Sequence, residues 1–144
     1  MLGSGPGDPW IRGGRIDWPA ARERTAALLR EYDVAAPGPG APAAVLSGGN
    51  QQKLVAAREL SRRPRVVITE NPTRGLDIRA TAAIHARLRA AAHCGAAVLV
   101  YSSDLEEVMD LAHRVVVMHR GALIAMPAGA SRAAVGAAML GGSS

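Results

Sequence analysis

Residues 46–53 read Leu46-Ser47-Gly48-Gly49-Asn50-Gln51-Gln52-Lys53, a serine and two glycines followed by helix-forming side chains. The order is that of a helix start. Ser47 offers a hydroxyl at the cap position, and the two glycines leave the backbone free to take positive φ and let an anion come close. The unpaired N–H groups of a first turn and the positive end of the helix dipole make such a terminus an anion site, worth roughly 0.3–1 kcal/mol and up to about 2 when partly buried. That is too little to hold a multiply charged ligand alone. By itself the octet is a serine-capped loop before an amphipathic helix, and its meaning depends on its surroundings.

Downstream, Leu54, Ala57, Arg58 and Leu60 recur at helical spacing, and this helix is expected to end near Arg62, ahead of Pro64. Val66-Val67-Ile68 reads as a buried strand. A helix is expected over 78–92, a strand over 97–101, and Ser103-Asp104-Leu105-Glu106 reads as a capping box with Ser103 as the N-cap. Residues 115–118 and 123–124 pair as strands around the turn His119-Arg120-Gly121. Upstream, Asp17 caps a helix with Pro19 in its first turn and an apolar face of Ala21, Ala26, Leu28 and Leu29, running to about Tyr32. Residues 37–42 break the chain, residues 1–15 are Gly/Pro-rich and expected to be irregular, and 133–140 is one more helical stretch. The alternation predicts an α/β fold with a mostly parallel sheet and an antiparallel final pair. Four stretches follow: an irregular start (1–15), a helical subdomain (16–62), an α/β core (63–126) and a tail (127–144).

A length of 144 residues suits one domain, and 49% hydrophobic content supports a core. That core must be built of Ala, Val and Leu, because the chain has no Phe, two Trp and two Tyr. The formal charge is +5, and Lys53 is the only lysine among 17 basic residues. The arginines, among them Arg22, Arg24, Arg30, Arg58, Arg62, Arg87 and Arg89, recur along helical faces without aromatic partners, which suits a solvated surface and not a nucleic-acid groove. Cys94 is alone, which excludes an internal disulfide and a cysteine-built metal site and fits a reducing compartment. The four histidines, 85, 93, 113 and 119, show no metal-ligand spacing and read as surface or turn residues. The apolar runs at 96–101 and 115–118 fall far short of the roughly 18 residues that span a bilayer. Residues 1–9 lack the apolar stretch of a signal peptide, so the chain is expected in the cytosol, with any membrane connection made through partners.

A second motif is Arg65-Val66-Val67-Ile68-Thr69-Glu70-Asn71-Pro72-Thr73-Arg74-Gly75-Leu76-Asp77, which sets polar groups at the carboxyl end of a strand, where open α/β sheets bind ligands. A third is Val98-Leu99-Val100-Tyr101-Ser102-Ser103-Asp104-Leu105-Glu106-Glu107-Val108. Together with Ser47-Gly48-Gly49 these resemble, in order and spacing, the signature loop, Walker B strand, D-loop and switch of the ATP-binding cassette family. The octet and Glu70-Asn71-Pro72-Thr73-Arg74-Gly75-Leu76-Asp77 resemble the second cassette of importers for simple sugars and nucleosides. Residues 135–141 resemble the usual close of that cassette. The resemblance covers about three quarters of the chain and implies part of a P-loop NTPase (RecA-like) core with the remnant of a helical signature subdomain. A Walker A loop ends in Gly-Lys-Ser/Thr, and a chain whose single lysine follows Gln52 contains none.

The resemblance implies ATP and magnesium as cofactors, shared with a partner cassette that carries the Walker A loop. Ser47, Gly48, Gly49, Asn50, Gln51 and Asp77 take the positions that serve ATP held across the cassette interface. The positions serving this chain's own site depart from the pattern. Glu70 stands where an aspartate is usual and, one methylene longer, still carries a carboxylate for a magnesium-bound water. Asn71 stands at the catalytic glutamate and cannot accept a proton, and Ser103 stands at the switch histidine, so no catalytic residue is intact. No independent ATPase activity is expected. Further implied partners are permease subunits and, indirectly, a solute-binding protein, at the cytoplasmic face of a bacterial inner membrane, with no nucleic acid. An upstream portion carrying Walker A is expected. Two other readings remain open: a fragment of a DNA-repair or chromosome-maintenance ATPase, whose flanking heptads this chain lacks, and an inactive truncated remnant.

Overall fold

The computed structural model describes residue 8 and residues 10–142. They form two compact units: residues through Val67 with Thr73–Val98, and Ile68–Pro72 with the residues from Leu99 onward.

The first unit begins with a hairpin, β1 (Ile11–Arg12) and β2 (Arg15–Ile16), pairing Ile11 with Ile16. Gly13 and Gly14 make its two-residue turn at φ +55° and +77°, the doubly left-handed conformation that matches strand twist. The irregular start expected through residue 15 is therefore corrected over these residues; residues 1–7 and 9 lie outside the described ones. Helix α1 (Trp18–Glu31) starts where expected, with the Ala20 N–H donating to Asp17 Oδ1 at 3.1 Å. Helix α2 is Gly48–Leu60 and α3 is Ile78–His93, capped by Ser47 and Asp77. Leu28, Tyr32, Val34, Leu46 and Ala57 form the core between α1 and α2, so the first residue of the octet is a core residue. On α3, Ala80, Ile84 and Leu88 make a buried stripe, and α3 packs on α2.

Two further sequence expectations fail in this unit. His85 is buried, not a surface residue, because it lies one turn before Leu88 on the inner side of α3. Arg87 does have an aromatic partner: its guanidinium sits 4.2 Å from the Tyr32 ring centroid and bonds Glu31 at 3.2 Å, a cation–π contact that helical periodicity could not reveal.

After α1 the chain turns at Asp33, φ +50°. The Lys53 ammonium closes this turn, donating to the Asp33 carbonyl at 2.9 Å and to its Oδ2 at 3.0 Å. The hydrogen bond from Lys53, with its charge, holds the Asp33 carboxyl below its usual value of 3.8. A depressed carboxyl favours the folded state above the unfolded pKa, and that contribution is lost as pH falls through the folded pKa. In an NMR titration Asp33 is expected to protonate below 3.8, and Lys53→Gln to bring it back to the ordinary range.

Strands β3 (Val66–Glu70) and β4 (Ala97–Tyr101) pair with each other and are joined through α3. The Ala97 N–H donates to the Arg65 carbonyl at 2.9 Å and the Asn71 N–H to the Tyr101 carbonyl at 2.7 Å, so the pair is parallel, as the α/β reading requires. The expected buried strand is corrected. Val67 is buried, whereas Val66 and Ile68 on the opposite face are 60% and 74% exposed.

In the second unit, α4 (Leu105–Leu111) precedes the antiparallel hairpin of β5 (Val116–His119) and β6 (Ala122–Ala125), followed by α5 (Arg132–Met139). Arg120 and Gly121 turn the hairpin at φ +47° and +80°. Val117, Val135 and Ala138 form its core, with Leu105, Met109 and Met126 against them. The cap of α4 is Asp104, whose Oδ1 accepts the Glu106 N–H at 2.9 Å. Ser103 was the expected cap, and the shift by one residue frees its side chain for another bond, described below. No helix among the described residues is long and apolar enough to cross a membrane.

Candidate functional site

Leu46 enters the core and fixes where α2 begins. Ser47 stays extended (φ −61°, ψ 157°), and its Oγ accepts the side-chain amide of Asn50 at 2.9 Å and the Asn50 backbone N–H at 3.5 Å. Asn50 Oδ1 in turn accepts the Ala35 N–H at 2.8 Å, and Gln51 Nε2 donates to the Leu46 carbonyl at 3.0 Å. The two side-chain amides expected to meet ligand also brace the loop. They hold Ser47 and the first turn of α2 in place. Asn50 to Ala35 is a link across 15 residues with no signal in the sequence.

Gly48 and Gly49 correct the expectation about φ. Neither has positive φ; both are the opening residues of α2. A Cβ at Gly48 would meet nothing within 4 Å, and one at Gly49 only Leu76 Cδ2 at 3.6 Å, an ordinary contact. The chain's own packing does not call for either glycine. What they provide is bare backbone at the end of a helix whose first N–H groups have no intrahelical partner.

Leu76 precedes Asp77, so the octet and Gly75-Leu76-Asp77 meet in one unit. Asp77 Oδ1 caps α3, accepting the Ala80 N–H at 2.8 Å, on an exposed residue. Lys53, four residues beyond Gly49, is tied to Asp33 and belongs to the scaffold.

Glu70, Asn71 and Ser103 lie in the second unit. Asn71 ends β3 in the left-handed region, φ +43°, a conformation that asparagine tolerates better than most side chains. Its Oδ1 accepts two bonds from Ser103, the N–H at 2.9 Å and the Oγ–H at 3.1 Å. The Asn71 carbonyl is occupied, so the group this side chain can still offer is its NH2, a donor. Glu70 is exposed at the strand end. Among the described residues no group of three or more His, Cys, Asp or Glu is gathered to hold a metal.

Comparison with known proteins gives these features a family. No protein-family profile matches the chain. It is 39% identical over 136 residues to the nucleoside import ATP-binding protein NupA of Lactococcus lactis, covering 93% of this chain and 27% of that protein. It is 43% identical over 115 residues to the ribose import ATP-binding protein RbsA 2 of Streptomyces avermitilis (80% of this chain, 23% of that protein). It is 46% identical over 110 residues to the xylose import ATP-binding protein XylG of Burkholderia ambifaria (76% and 21%). The chain thus spans about a quarter of the length of the curated relatives it matches. Among solved structures it superposes on an ATP-binding subunit of an ABC transporter with TM-score 0.68 at 24% identity, covering 84% of this chain and 55% of that one. On the cassette MJ0796 bound to ADP and Pi the TM-score is 0.63 at 23% identity, with 76% and 47% covered. In sequence and in fold, the chain belongs to the ATP-binding cassette family.

Proposed function

We propose that the chain works in an importer for simple sugars or nucleosides by presenting Ser47, the Gly48 and Gly49 amides and Asp77 to ATP held by a partner cassette. The single observation that carries this reading is the open start of α2, where a Cβ at Gly48 would meet nothing within 4 Å and one at Gly49 only Leu76, so the fold does not need either glycine. An ATP phosphate fits such an end: the dipole is favourable, no side chain blocks the approach, and Ser47 Oγ stands beside it. Magnesium and the phosphate-holding lysine come from the partner. Bound there, ATP supplies the reactive phosphoanhydride; this chain contributes orientation and hydrogen-bond donors.

At the position of the family's general base stands Asn71. Asn71 has no ionisable group and its carbonyl is taken by Ser103, so this pair can steady a neighbouring phosphate and cannot take a proton from water. The import functions named for the relatives support transport over the chromosome-maintenance reading, and with it a post on the cytoplasmic side of a permease fed by a solute-binding protein. The test is the ATPase rate of a partner cassette that keeps its Walker A loop and lacks a working signature loop, measured with and without this chain. Stimulation supports the reading. A rate unchanged at saturating chain sinks it.

A further inference from the structure

Behind the Ser47 loop, and within the first unit alone, lies a cavity of about 600 Å3, inside the range of roughly 300–1,000 Å3 that small-molecule sites occupy. Helix α1 gives it one wall through Trp18, Ala21, Thr25 and Leu29, and α2 another through Gln51, Leu54, Val55 and Arg58, both sets at helical spacing. Trp10, ahead of the β1–β2 hairpin, and the Gly/Pro-rich segment 38–43 supply further sides. Trp10 is held there by its carbonyl, which accepts the Asp17 N–H at 2.8 Å. Every charged side chain in the lining is an arginine: Arg22, Arg24 and Arg58, with no carboxylate among them. Arg58 is paired with Glu59, Nε to Oε1 at 2.6 Å. Arg22 and Arg24 make no ion pair among the described residues, so the lining keeps their positive charge. The Thr25 hydroxyl donates to the Ala21 carbonyl at 2.8 Å and the Gln51 amide to the Leu46 carbonyl at 3.0 Å, which leaves the guanidiniums as the donors for a ligand.

We infer that this cavity binds a small aromatic carboxylate, with its ring against Trp10 and Trp18 and its anion on Arg22 and Arg24, and that an occupant stiffens the Ser47 loop. Indole surfaces bury a flat apolar body with large area per side chain, and a guanidinium matches a carboxylate with two parallel hydrogen bonds. Walls on several sides suit a compact molecule better than an extended peptide. The route to the loop is short. Leu46 and Gln51 both line the cavity, are bonded to each other, and flank Ser47, Gly48 and Gly49, which do not line it. The site is therefore separate from the open start of α2, and the inference stands whether or not that helix end meets ATP.

Trp10 and Trp18 are the chain's only tryptophans, so their indole N–H resonances report on the cavity directly. Titration of the isotope-labelled chain with naphthalene carboxylate is expected to shift both resonances and to slow amide exchange at Asn50 and Gln51. The neutral naphthalene carboxamide should bind about tenfold or more weaker, because it forgoes the charge-assisted bonds. Arg22→Gln with Arg24→Gln should abolish the preference for the anion and leave binding of the amide unchanged; both side chains are exposed, and circular dichroism checks that the fold survives. Ala21→Phe, which fills the cavity from α1, should weaken both probes and is the second variant should the first lose its fold. Indole resonances unmoved at millimolar naphthalene carboxylate overturn the inference, as does equal binding of anion and amide. Binding that leaves exchange at Asn50 and Gln51 unchanged overturns the link to the loop. A dimer that the probe dissolves, or an oligoglutamate peptide that displaces the probe at lower concentration, would make a second copy or an acidic peptide the occupant and would equally overturn it.

Discussion

Gly49→Asp is expected to cut the stimulation of a partner cassette's ATPase by about a hundredfold or more, the scale on which losing one transition-state hydrogen-bond donor is felt, while leaving this chain at least as stable. The two effects separate because the fold and the ligand make opposite demands at this position. For the fold, residue 49 is the second residue of α2, with ordinary φ and room for a Cβ against Leu76. A carboxylate in a first turn is favoured by the dipole by about 0.3–1 kcal/mol, and replacing an interior-type glycine removes a penalty of similar size. For the phosphate, the same carboxylate is a like charge set among the N–H groups it must reach. Gly49→Ala, which adds bulk without charge, should fall between. Activity would be read as phosphate release and stability as the urea midpoint. A variant as active as the parent would remove the signature loop from the mechanism; a variant that fails by unfolding would show that the glycine serves the scaffold after all.

Leu28→Ala should cost about 2–5 kcal/mol, against a total of roughly 5–15 for an ordinary domain. Leu28 is 1% exposed and touches a core of only a few other buried side chains, Tyr32, Val34, Leu46 and Ala57. The largest neighbour, Tyr32, is itself held by the Arg87 guanidinium over its ring. The cavity would open beside Leu46, so the loss should reach the Ser47 loop. Urea denaturation followed by circular dichroism gives the magnitude. A shift below about 1 kcal/mol would mean that the core relaxes around the site.

Much of the layout was legible because it rests on local chemistry. Asp17 and Ser47, read as caps, do begin their helices with a short oxygen acceptor, and a cap needs only its next few residues; Asp77, Asp104 and Ser131 cap the other helices in the same way. The parallel β3–β4 pair followed from helix and strand alternation. Legibility failed where the deciding partner is remote in sequence. The Ser103 side chain bonds Asn71, 32 residues away, and its neighbour Asp104 takes the cap, so the cap expected at Ser103 falls one residue later. Arg87 meets Tyr32 only because α3 passes α1. The Gly13-Gly14 hairpin turn is a local signal set in a stretch whose Gly and Pro content reads as irregular. The strand 66–68 looked buried from its run of β-branched residues, and alternation alone could not say that one side would stay open. In the site, residue types pointed to anion recognition, but the division of labour, with the glycines facing out and Asn50 and Gln51 holding the loop, needed coordinates.

The unhindered glycines also offer a way to tell a working chain from a relic. Relieved of selection, codons for Gly48 and Gly49 would drift readily, since single-base changes give residues, alanine included, that this helix start accommodates without a clash. Nothing inside the protein would resist that drift. Counting substitutions at these two positions across closely related genomes, against the rate at Gly13 or Gly121, where positive φ imposes its own constraint, would measure the pull of whatever the loop touches outside the chain.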